Sequence, residues 1–128
     1  MKRIIVVDDD EEVLDTIELV LEIGGYEVEP LSDAEGIHET VSSFNPDLII
    51  LDIVLGKIDG RTICAEIKNN PKTKHIPILM MSGLYKADEI SSLETPPDDF
   101  MPKPFKMDVL LEKIEKLINV KVARHNIN

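Results

Sequence analysis

A single cysteine in 128 residues rules out an internal disulfide, and Cys64 suits a reducing compartment. Basic residues are scarce, 14 against 25 acidic ones, for a formal net charge of −11. That balance argues against direct binding to nucleic acid or an anionic membrane, whose phosphates attract the opposite sign. No apolar run approaches the roughly 20 residues that span a bilayer. The short apolar stretch in "MKRIIVVDDD" falls well below a signal peptide, so a cytoplasmic location is expected. Three histidines, His38, His75 and His125, are scattered without metal-ligand spacing.

What is present is patterned. With 43% hydrophobic and 30% charged residues, the chain reads as one globular domain. Two segment types alternate. "RIIVV" (3–7), "YEVEP" (26–30), "DLIIL" (47–51), "IPILMM" (76–81) and a brief "DFM" (99–101) read as strands. Between them, apolar residues recur at helical spacing: Val13, Leu14, Ile17 and Leu21, then Ala34, Ile37, Val41 and Phe44, then Ile63, Cys64 and Ile67. A weak helical segment follows at 87–93, and Met107, Leu110, Leu111, Ile114, Leu117 and Ile118 mark the clearest helix. Gly24-Gly25, Asn45-Pro46 and Asn69-Asn70-Pro71 supply the stops. Cys64 reads as a core residue and Asp10 as the cap of the first helix. Five strands alternating with five helices imply right-handed βαβ units and a doubly wound parallel sheet.

In such a fold the working site lies outside the carboxyl ends of the strands. Those ends carry Asp8-Asp9, Asp52, Ser82 and, after the weak fifth strand, Lys103. Two like charges about 5 Å apart repel by roughly 3 kcal/mol at an effective dielectric near 20. Three converging acids therefore need counter-charge, which Lys103 and a hard divalent cation with oxygen ligands would supply. Such a set suits phosphoryl transfer, in which a carboxylate attacks phosphorus while cations and a hydroxyl hold the phosphoryl oxygens.

"IIVVDDDEEV", "DLIILDIVLGKIDG", "IPILMMSG" and "DDFMPKPF" together resemble the receiver domain of two-component response regulators, across about residues 2 to 119. The resemblance implies a (βα)5 flavodoxin-like fold with strand order 2-1-3-4-5. It implies a receiver domain over 1–119 and a tail over 120–128. It also implies a phosphorelay role in signal transduction: Mg2+-dependent transfer of a phosphoryl group to Asp52 from a histidine kinase or a histidine phosphotransfer protein. The chain would then be a switch that catalyses only its own phosphorylation and dephosphorylation. Asp9 matches the acid that binds the metal directly, Asp8 the acid that acts through a metal-bound water, and the Val54 carbonyl a further ligand. Ser82 and Lys103 match the hydroxyl and lysine that meet the phosphoryl group, and Phe100 the aromatic that turns inward on switching. Val54 and Leu84, both apolar, would flank the approach of hydrolytic water, which implies a long-lived phosphorylated form.

Three departures stand out. Leu55-Gly56 replaces the usual Met-Pro after the acceptor and is expected to loosen that loop. The stretch from Ser82 to Lys103 is about one residue short. Pro96-Pro97 replaces Gly-Ala and should shorten the fourth helix, leaving partner choice open. Three other readings fit less well. A haloacid-dehalogenase-type phosphatase needs a second acid where Val54 stands. A flavodoxin needs a hydroxyl- and glycine-rich loop where Asp8 to Asp10 stand. A receiver used only as an interaction module has no need of the intact acids, hydroxyl and lysine. The downstream partner is not legible, nor is whether the chain is stand-alone or part of a longer protein.

Overall fold

The computed structural model describes residues 1–126, with side chains through residue 119. Five parallel strands form the sheet: β1 (Arg3–Val7), β2 (Glu27–Leu31), β3 (Leu48–Asp52), β6 (Ile78–Ser82) and β7 (Asp99–Pro102). Their order is β2-β1-β3-β6-β7, which is 2-1-3-4-5 when only these strands are counted. The expected doubly wound architecture is therefore the observed one.

Strand residues alternate between two cores. Ile5, Val7, Ile49, Leu51, Ile78 and Met80 face one side, against α2 (Ile37–Phe44), α3 (Gly60–Lys68) and α4 (Ala87–Ser91). Ile4, Val6, Leu48, Ile50, Leu79 and Met81 face the other, against α1 (Glu11–Ile23) and α5 (Met107–Asn126). Burial on both faces is why the central strands read as unbroken apolar runs. Each buried Ile or Leu contributes about 1.5–3 kcal/mol. Among the strands of the sheet, only the two at its edges contain a proline, Pro30 and Pro102, where a missing amide does not break the ladder's interior.

Local signals act where the sequence places them. The Asp10 side chain caps α1 by accepting from the amides of Glu12 and Val13. Asn45, at φ 53°, ends α2 in the left-handed region, and Asn69 ends α3. Cys64 is fully buried, and burial pushes its thiol up to about 11.

The structure departs from expectation in two places. Residues 53–59, the loop that Leu55-Gly56 is expected to loosen, form an antiparallel hairpin, β4 (Val54–Leu55) with β5 (Ile58–Asp59). Gly56, at φ 62°, sits at its tip, where a positive φ suits a two-residue hairpin turn. Helix α5 runs through Asn126, past residue 119, because no Gly or Pro interrupts 107–126. The rest of the expected tail, residues 127–128, lies outside the described residues.

The chain reverses tightly after β3. Gly60 donates its amide to the Ile53 carbonyl at 2.7 Å. A methyl group on Gly60 would collide with the Asp52 carbonyl oxygen and stand 2.9 Å from the Ile53 Cα. Both obstacles are backbone, so neither can step aside. Gly60→Ala should therefore cost about 3 kcal/mol, read as a lower urea midpoint at unchanged slope; an unshifted midpoint would show that the corner has slack.

Candidate functional site

Parallel strands deliver their last residues to one rim of the sheet. Asp52 ends β3, Ser82 ends the neighbouring β6, and Asp8 follows β1 on the other side. Lys103 follows β7, and its amide donates to the Ser82 carbonyl at 2.9 Å. Asp8, Asp52 and Ser82 are the buried polar residues of the described chain, at 0%, 6% and 1% exposure. Every other residue at this depth is apolar or glycine, so these three mark the place where burial was accepted for a reason other than packing.

The carboxylates are held by specific donors. Asp8 accepts from Lys103 Nζ at 2.6 Å on one oxygen and from the Asp10 amide at 2.9 Å on the other. Asp52 accepts from the same Nζ at 3.2 Å and from the Val54 amide. Asp9 is exposed, and one of its oxygens lies 3.3 Å from the Gly56 amide at the hairpin tip. Burial pushes the Asp52 carboxyl above its usual range; the Lys103 charge opposes this, and the Asp8 charge adds to it. Burial alone would lower the Lys103 ammonium. The hydrogen bond to Asp8 and the charges of Asp52 and Asp8 outweigh it and hold Lys103 above its usual range.

Asp8, Asp9 and Asp52 each offer an oxygen within 4.8 Å of the others'. When ionised, three carboxylates and one ammonium leave two negative charges, the complement of one divalent cation. An all-oxygen donor set suits a hard ion such as Mg2+. These residues fit a metal; Val54, anticipated as a carbonyl ligand, lies on β4 two residues after Asp52.

Ser82 lies on the strand next to β3, and its Oγ accepts from the amides of Leu84 (3.0 Å) and Tyr85 (3.3 Å). Phe100 is not part of the acidic cluster. It faces inward at 8% exposure, in the core that holds Val7, Leu51 and Met80. Two features escaped sequence reasoning. One is the close approach of Gly60 to Asp52; the "DG" at 59–60 signals a turn but not its tightness. The other is the corner formed by Asp59, Arg61 and Tyr85, in which Arg61 grips Asp59 through Nε and Nη2 and covers the Tyr85 ring at 4.6 Å.

Residues 4–115 match the response regulator receiver domain family. The chain belongs to that family. This receiver is 34% identical over 119 residues to the DNA-binding dual master transcriptional regulator RpaA of Synechocystis, which covers 92% of this chain and 49% of that protein. It is 33% identical over 122 residues to the response regulator PleD of Caulobacter vibrioides, covering 94% of this chain and 27% of that one. The chain thus spans half or less of the length of these curated relatives. Among solved structures, a CheY-like receiver domain protein of Methanospirillum hungatei superposes with a TM-score of 0.88 at 27% identity, over 97% of this chain and 98% of that one. A response regulator of Chloroflexus aurantiacus gives 0.84 at 31% identity, over 92% and 98%. Among the described residues, no helix of the receiver is long and apolar enough to cross a membrane.

Repulsion among the three acids predicts that Mg2+ stabilises the receiver. A ligand that binds only the native state at a hundredfold excess over Kd adds about 2.7 kcal/mol. The melting temperature should rise with Mg2+ in the wild type and barely move in Asp9→Ala. An equal rise in both proteins would remove Asp9 from the ligand set.

Proposed function

We propose that this receiver takes a phosphoryl group onto Asp52 in a Mg2+-dependent reaction, from the phosphohistidine of a histidine kinase or of a histidine phosphotransfer protein. The observation that carries the reading is the Lys103 ammonium bridging Asp8 and Asp52, with the exposed Asp9 carboxylate alongside. A buried acid held by one lysine, next to an open metal-ligand set, is costly as a structural device and useful as an acceptor.

In the transfer, an oxygen of Asp52 forms the new P–O bond as the P–N bond to the donor imidazole breaks. The ring nitrogen leaves with the bonding electron pair and takes up a proton. Asp8 holds the Lys103 ammonium beside the acceptor, where it can neutralise a phosphoryl oxygen. Ser82, whose oxygen already accepts two amides, has its proton free to donate to another. Asp8, Asp9 and Asp52, with the Val54 carbonyl, would hold the metal; a bound Mg2+ supplies further charge neutralisation for the phosphoryl oxygens. Phe100 serves as the switch aromatic that carries the change toward a downstream protein partner. The setting is the cytoplasm, where the lone thiol stays reduced. RpaA is named as DNA-binding, but the receiver's own net charge of −11 points to a protein partner rather than direct contact with nucleic acid.

Acetyl phosphate with Mg2+ should add one phosphoryl group by intact mass, and Asp52→Asn or EDTA should abolish the addition. Equal labelling of Asp52→Asn would move the acceptor elsewhere.

The phosphorylated form should be long-lived. Val54 and Leu84 are 41% and 76% exposed and apolar, and neither can orient an attacking water. Positioning of a reactant is worth several kcal/mol of barrier, and each 1.4 kcal/mol is about tenfold in rate. Val54→Asn should lose its label about tenfold faster than wild type at fixed Mg2+. Decay no faster in the variant would show that this side chain does not govern water.

A further inference from the structure

Ser82 is buried, and its oxygen is committed to two amides of its own loop, those of Leu84 and Tyr85. What remains is the hydroxyl proton, and its direction depends on where residues 83–85 stand. Gly83 has no side chain to brace that loop, and the Leu84 side chain is largely in solvent. Tyr85 is the anchor: it packs against the core beneath and carries the Arg61 guanidinium 4.6 Å from its ring centroid. Arg61 is itself fixed. Its Nε lies 3.0 and 3.1 Å from the two Asp59 oxygens, and its Nη2 lies 2.6 Å from one of them. Asp59 also caps α3 through the Arg61 amide and pairs with Val54 across the hairpin. Tyr85, Asp59 and Val54 line one hollow of about 170 Å³ between the hairpin and the loop.

We propose that Arg61 is a positioning residue for Ser82: stacked on Tyr85 and clamped by Asp59, it holds the β6–α4 loop so that the Ser82 proton faces the Asp52 rim. The inference rests on the phospho-acceptor reading and adds to it a residue that touches neither phosphoryl group nor metal. It links the β3–α3 corner to the β6–α4 loop, two segments that the sheet brings side by side but does not join beyond Ser82. Arginine suits the task because its planar group can stack on a ring and bind a carboxylate in the same pose, which a lysine ammonium cannot do.

The test is a fluorine NMR titration of beryllofluoride, a phosphoryl mimic, with excess Mg2+ on the full chain, alongside melting temperatures. An exposed cation–π contact corresponds to roughly two- to fivefold in an equilibrium constant, so Arg61→Ala should weaken beryllofluoride binding by about that factor. Arg61→Lys should recover part of the loss. Tyr85→Phe, which keeps the ring face, should bind as wild type does. Tyr85→Ala should match Arg61→Ala, and the double variant should be no worse than either single one. A merely structural Arg61 would lower the melting temperature and leave the affinity alone. Unchanged or tighter binding in Arg61→Ala, with wild type binding normally, overturns the inference while leaving the phospho-acceptor reading intact. A wild type that binds no beryllofluoride overturns both.

Discussion

Two carboxylates, Asp8 and Asp52, sit at 0% and 6% exposure at the end of a sheet that is otherwise packed with branched aliphatic side chains. An ionised carboxylate in such surroundings loses several kcal/mol of hydration, and a second one nearby makes matters worse. The Lys103 ammonium, 2.6 Å from one and 3.2 Å from the other, is what makes the arrangement tenable. Its own burial is offset by the same pair. The three groups are interdependent: removing the lysine leaves two desolvated acids, and removing the acids leaves a desolvated ammonium. With Asp9 included, the ionised groups keep a net negative charge that a divalent cation would balance.

The sheet exists, from the standpoint of this site, to bring those groups to one rim. Asp8, Asp52, Ser82 and Lys103 come from four segments, and Asp8 and Lys103 are 95 positions apart. Parallel strands with crossover helices point all their carboxyl ends the same way, so four separate chain reversals open toward a single surface. Helices α1 and α5 on one face and α2, α3 and α4 on the other bury the strands and leave that rim open. The close approach of Gly60 to the Asp52 carbonyl and the hairpin that follows β3 keep the loop after Asp52 folded back on the sheet. That hairpin places the Gly56 amide beside Asp9 and Asp59 beside Arg61, so the loop also shapes the Asp9 side and the Tyr85 side of the site.

The amino-acid sequence by itself determined the order of strands and helices, their stops and the doubly wound class. Unbroken apolar runs such as "LIIL" (48–51) are unstable except between two helical layers, and Asn45 and Asp10 are where local chemistry ends or begins a helix. It also marked Asp8, Asp9, Asp52, Ser82 and Lys103 as a group, because the parallel-sheet rule sends strand ends to one place. What only the tertiary structure decided is how those residues divide the work of holding one another. Which oxygen meets Lys103, that Asp8 is sealed while Asp9 stays in water, and that Phe100 lies inward depend on the twist and packing of strands far apart in sequence. The hairpin at 54–59 and the Asp59–Arg61–Tyr85 corner were illegible for a related reason. Two-residue strands carry no periodicity, and a guanidinium finds a ring across the sheet only after β3 and β6 have paired.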